Sequence, residues 1–146
     1  MASQQTLPLT VSYDGSTVEA AVAAGNSDYA NSDITSAHFP TTRQGTEQLE
    51  AVLVHFDRYI SSEQALAELN KMGLRAGELT ELLAFGATYP DQQRQFLVVA
   101  LGSTWLRPSG YRFVPCLDYW GVRRGLRLYW FGAGWREGCR LLAFRK

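Results

Sequence analysis

The sequence predicts a single α+β domain, and three observations carry that expectation. The chain has 146 residues, the size of one domain, and its 46% hydrophobic and 19% charged content is globular and stands against disorder. Two stretches of helical periodicity precede residue 90, and short apolar strands separated by glycines fill the remainder. No repeat, charge run or Gly/Ser linker divides the chain. Residues 1–146 are therefore one domain, with 1–101 as scaffold and 102–146 as a strand-rich part.

In order along the chain, Leu7 to Tyr13 alternates apolar and polar residues, the pattern of a strand with one buried face. Asp14-Gly15-Ser16 turns the chain. Thr17 to Ala24 reads as a short Ala-rich helix with Glu19 in its first turn and Gly25-Asn26 as its C-cap. Ser27 to Gly45 is polar and loop-like, and at that length it is expected to be packed rather than free. Glu47 to Asp57 carries apolar residues on both parities, which suits a strand covered on both faces. Ser61 and Gln64 form a capping box ahead of Ala65, Leu66, Leu69 and Met72 at helical spacing. Gly73 stops that helix, and a second is expected from Ala76 to about Thr88, ended by Pro90. Phe96 to Leu101, Tyr111 to Leu117, Leu126 to Phe131 and Cys139 to Phe144 follow as strands.

Charge is balanced only in total. Fourteen basic side chains face fourteen acidic ones, yet residues 1–91 hold 12 acids and 4 bases while residues 92–146 hold 10 bases and 2 acids. The halves are −8 and +8, so the neutral sum hides a dipolar molecule. No apolar run approaches the roughly 18 residues of a spanning helix, and the N-terminus lacks the pattern of a secretory signal. A cytoplasmic location and no membrane partner are the default expectations.

Catalysis finds little footing. His38 sits in a polar loop and His55 inside an apolar strand pattern, where a hydrogen-bonded core role is the ordinary one. Glu78 and Glu81, at i and i+3, read as a solvated helix surface rather than paired catalytic carboxylates. No G-x-S-x-G, phosphate-cradling glycine loop or H-E-x-x-H occurs. Cys116 and Cys139 match no zinc or redox spacing and are expected as buried free thiols. The expectation is no enzyme, no cofactor and no metal.

Residues 105–145 stand out instead, with eight arginines and nine aromatic residues ahead of the final strand. In Leu126 to Phe131, Leu126, Leu128 and Trp130 share one face while Arg127, Tyr129 and Phe131 share the other. Trp105, Trp130 and Trp135 punctuate strands and are expected in the core. Tyr119, Trp120, Arg123, Arg124, Arg127 and Tyr129 are expected at the surface, Arg127 and Tyr129 from a strand and Tyr119, Trp120, Arg123 and Arg124 from loops that also carry Arg107, Ser109, Asp118, Arg136 and Glu137. Tyr, Trp and Arg concentrate binding energy at interfaces. The same residues also suit nucleic acid, with bases stacked on rings and phosphates on guanidinium groups.

Several segments carry a resemblance: GLRAGELTELLAFGATYPD, then VALGSTW, then WFGAGWREGCRLLAFRK. Together they resemble the variable proteins of diversity-generating retroelements, including small proteins of candidate-phyla bacteria and their phages. That resemblance implies a C-type-lectin-like fold, related to formylglycine-generating-enzyme-type domains, with two main helices packed on small antiparallel sheets. It implies that the terminal strand CRLLAFRK pairs with the N-terminal strand Leu7 to Tyr13. It also implies a fixed scaffold whose solvent-facing positions between about Arg107 and Gly138 are rewritten to change ligand specificity. Calcium-ligating E-P-N or W-N-D motifs are missing, and the two cysteines stand far apart, so neither calcium-dependent sugar binding nor oxidase chemistry is implied. The expected activity is non-enzymatic recognition of a macromolecular ligand, a protein, through Arg107, Ser109, Asp118, Tyr119, Trp120, Arg123, Arg124, Arg127, Tyr129, Arg136 and Glu137. Nucleic-acid binding by the basic half is the alternative, and salt dependence separates the two.

Overall fold

The computed structural model describes residues 2–146. Its strands are β1 (Ser3–Ser12), β2 (Tyr29–Ala30), β3 (Thr46–His55), β4 (Leu74–Ala76), β5 (Val98–Val99), β6 (Trp105–Leu106), β7 (Arg112–Trp120), β8 (Arg123–Trp130) and β9 (Arg140–Arg145). Its helices are α1 (Val18–Ala24), α2 (Ser62–Lys71) and α3 (Leu79–Thr88). All nine strands join one sheet in the order β1-β3-β9-β5-β7-β8-β2, with β4 beside β9 and β6 beside β7. The β5–β9 and β2–β8 pairs are parallel and the rest antiparallel. The result is an α+β domain with one mixed sheet and three helices, in place of small antiparallel sheets and two main helices.

The expected pairing of the terminal strands is not made. β3 lies between them, setting Leu53 against Gln5 of β1 on one side and against Leu142 of β9 on the other. Composition explains the order. Ala51, Val52, Leu53 and Val54 are buried whichever way they point, as a central strand requires. β1 buries only alternate residues near its end and contains Pro8, which suits an edge. The Pro8 carbonyl accepts the Tyr89 hydroxyl, and the opposite edge of the sheet is the two-residue β2.

Two cores follow from the alternation of side chains across the sheet. Leu53, Leu117, Leu126, Leu142 and Phe144 pack with Val18 of α1 and with Leu79, Leu82 and Phe85 of α3. Val52, Val54, Val99, Cys116 and Leu141 pack on the other face with Ala65 and Leu69 of α2 and with Trp135. Each fully buried Leu or Phe contributes about 2 kcal/mol.

Local signals set the helices. Ser61 Oγ accepts from Gln64 N at 3.1 Å while Gln64 Oε1 accepts from Ser61 N at 3.2 Å, so the capping box is formed. The second helix starts at Leu79 rather than Ala76, because Leu74–Ala76 pairs with β9 instead. Gly77 N then donates to Leu142 O, and Gly102 N donates to Gly77 O. A Cβ on Gly102 would stand 2.5 Å from the Ala76 carbonyl oxygen, so this crossing needs glycine.

Glu81 is not solvated surface. It is fully buried, bonded to Arg75 at 2.6 and 3.0 Å, to the Tyr13 hydroxyl at 2.6 Å and to Glu78 N at 2.8 Å. Burial alone would push its carboxyl up, but these donors more than offset that and hold it below the usual range. Glu78 pairs with Arg43 at 3.0 Å, tying down the long loop, which also buries Ile34 and Phe39. The loop is packed, as its length predicts.

Candidate functional site

β7 and β8 form a long hairpin in which Asp118 faces Gly125, Cys116 faces Arg127 and Val114 faces Tyr129. The turn is only Gly121-Val122, both left-handed with φ of 59° and 58°, the two-residue geometry whose twist matches the strands. Asp118, Tyr119, Trp120, Arg123 and Arg124 therefore lie on strands and not in loops, and Asp118 is buried, which corrects the sequence expectation.

Directly opposed residues share a face. Val114 and Cys116 belong to the α2 side of the sheet, but α2 does not reach the distal half of the hairpin. Asp118, Trp120, Arg123, Arg127 and Tyr129 are left on that uncovered stretch. Arg127 Nε lies 3.0 Å from Asp118 Oδ2, and the Tyr129 hydroxyl donates to the same oxygen at 2.9 Å. Burial first, and then the Asp118 carboxylate, raise the Tyr129 phenol above its usual range, so it stays a neutral donor. A Cβ on Gly125 would stand 2.2 Å from Asp118 Oδ1 and 2.9 Å from Arg127 Nε. The glycine opens the floor on which that pair lies.

Tyr29 completes the site, and composition gave no signal for it. Its two-residue strand pairs with Gly125 and Leu126, which sets the Tyr29 ring on the same face, 4.4 Å below the Arg127 guanidinium carbon. Trp120, 76% exposed, stands at the tip beside Val122 and Arg123. Because β5 is two residues long, β7 has no strand neighbour past Leu117 on that side. A cleft of about 230 Å³ opens there, lined in part by Arg94, Asp118, Trp120 and Tyr129.

Not every expected residue joins this face. Tyr119 leaves β7 on the opposite side, beneath Arg94, whose guanidinium carbon is 5.3 Å from its ring centre, and meets the site only where it lines the edge cleft. Arg124 is buried: its Nη1 donates to the carbonyls of Gly25 and Asn26, and its Nη2 to Gly86 O and Gln93 Oε1. It is a structural pin, which sequence parity could not reveal because the carbonyls come from α1 and α3. Arg107 and Ser109 are exposed at the far end of the hairpin, and Arg136 and Glu137 are exposed beyond Trp135. Trp135 is core, as expected, whereas Trp130 is 45% exposed and Trp105 only half-buried.

The histidines are held by carbonyls: His55 Nε2 donates to Glu137 O and His38 Nδ1 to Asp33 O, each at 2.7 Å. Cys116 and Cys139 are buried and unpaired, and burial raises both thiols. Among the described residues no group of three or more His, Cys, Asp or Glu side chains is arranged to hold a metal ion, and no helix is long and apolar enough to cross a membrane.

Protein-family models, curated proteins and solved structures contain no significant match to the chain.

Proposed function

We propose that this chain is a non-enzymatic recognition protein that binds a protein ligand through the uncovered face of the β7–β8 hairpin. The observation that carries the reading is the Tyr29–Arg127–Asp118–Tyr129 network beside exposed Trp120. It presents rigid aromatic and guanidinium groups that lose little entropy on binding. The C-type-lectin-like assignment and the kinship with variable proteins of diversity-generating retroelements belong to the same proposal. The α+β make-up supports them, as does a face built, Tyr29 apart, from residues within the segment that the resemblance marks as diversified. Nucleic acid suits this face poorly, since Arg127 is already engaged by Asp118 and Tyr29.

Peptides selected from a random phage-displayed library against the intact protein test the reading. Binding of the selected peptides should be lost in Trp120→Ser while the melting temperature stays within about 2 °C, and lost in Arg127→Ala, which also strips the buried Asp118 of its cation. Peptides that bind both variants unchanged would place recognition elsewhere. In the genome, a reverse transcriptase gene beside a near-copy of codons 105–146 is the expected neighbour.

A further inference from the structure

A row of rings crosses the sheet at the end away from the Trp120 turn. Trp105 opposes Phe113 across β6 and β7, and Phe113 opposes Trp130 across β7 and β8, so the three rings share one face. Parity puts that face opposite Asp118, Arg127 and Tyr129. His38 extends the row, stacked on Trp105 at 3.9 Å and 13°, and Tyr111 closes it, edge-on to Trp130 at 5.4 Å. Trp130 and Tyr111 are 45% and 53% exposed.

Two arginines stand over rings at this end. The Arg107 guanidinium carbon is 5.4 Å from the centres of both Trp105 and Phe113, whereas Arg112, which alternates with Phe113 along β7, stands 5.7 Å from Phe131 on the opposite face. Among the described residues the Arg107 side chain neither meets a carboxylate nor makes a hydrogen bond, in contrast to Arg127 on the other face. A guanidinium stacked on a ring keeps its N–H donors in its own plane, directed outward and free for an anion. Neither segment 102–117 nor segment 126–136 contains a single Asp or Glu. This surface therefore offers flat π faces and an unpaired cation with no acid of its own segments to repel an anion.

We infer that the aromatic row is a binding site for single-stranded nucleic acid, with bases stacking on Trp130 and Tyr111 and a phosphate bonding to Arg107. Stacking accepts any base, so the site is tolerant of sequence. It is separate from the recognition face and does not depend on it.

Fluorescence anisotropy of a labelled oligothymidylate of about ten nucleotides tests this on the full chain. Binding should be measurable at about 50 mM salt and weaken with a log–log slope near −0.7, as one phosphate contact requires. Tyr111→Ser and Trp130→Ser should each weaken it about tenfold, and Arg107→Gln should make the slope shallower by about 0.7. Tyr111 is more than half exposed, so its variant keeps the test valid if Trp130→Ser fails to fold. No binding at low salt, or unchanged binding by Tyr111→Ser, would overturn the proposal. Displacement by poly-L-glutamate as readily as by unlabelled oligonucleotide would also overturn it, since the surface would then attract any acid, including one on a protein.

Discussion

Val122 occupies the left-handed region at the tip of the hairpin, and its side chain is 83% exposed. A β-branched residue there costs roughly 1–2 kcal/mol relative to glycine, and this one buries nothing in return. Val122→Gly is therefore expected to stabilise the fold by about 1 kcal/mol, read as a rise in urea midpoint. An unchanged or lower midpoint would mean that the side chain makes contacts in solution that its exposure conceals. Trp120 beside it is similarly idle for folding. Residues that cost the fold something while facing solvent are what a binding tip contains. Glu81 and Arg124 were misread at this same scale for one reason: a charged side chain in a polar sequence window looks solvated until the partners that bury it are known. For Glu81 those partners are Tyr13 and Arg75, and for Arg124 they are carbonyls 31 to 99 residues away in sequence.

At the scale of elements, Arg124 fastens the β7–β8 hairpin to the ends of two helices. Its backbone adds to the hold, with Arg124 N donating to Asp28 and Asp28 N to Arg124 O, which draws β2 alongside β8. Arg124→Ala leaves four carbonyl groups without their donor and is expected to cost about 3 kcal/mol or more in urea unfolding. A loss under about 1 kcal/mol would show that water takes over those carbonyls without penalty. Elements whose signals are local were legible in the sequence. The Ser61–Gln64 box, the alternation at Leu7 to Tyr13 and the two-faced apolar pattern of β3 all became what they announced. The elements that were missed are held by distant backbone: β2 by β8, and β4 by β9, which took Ala76 from the helix expected there. Part of the site was legible in the Arg, Tyr and Trp content of the second half. Tyr29 was not, because a two-residue strand leaves no periodicity to read.

The whole molecule shows where its charge imbalance goes. Arg43, Lys71 and Arg75 pair with acids of their own half, so the acidic half satisfies itself locally and keeps a surplus. In the basic half only Arg94 and Arg127 meet carboxylates among the described residues, and the rest stack on rings, bond to carbonyls or face solvent. Acid stability rests on the buried Glu81. A carboxyl held low in the folded state contributes stability above its unfolded value, near 4.3, and that contribution fades as pH falls through the folded value. The wild-type urea midpoint should therefore drop steeply below about pH 4.3, whereas Glu81→Gln should be weaker by about 3 kcal/mol at neutral pH and flatter in acid. Parallel profiles for the two proteins would remove Glu81 from the cause of acid unfolding.

The margins of the sheet carry one more implication. The main path of the sheet ends at two borders, β1 and β2, with only the short β4 and β6 attached beside it, and a bare border invites a neighbouring chain to continue the ladder. Here β2 is too short to template a strand, and the middle of β1 has neither an N–H at Pro8 nor a free carbonyl there, since Tyr89 occupies it. Concentrated solutions of this protein should remain free of fibrous growth by strand addition, and any self-association should run through its ring-bearing surfaces instead.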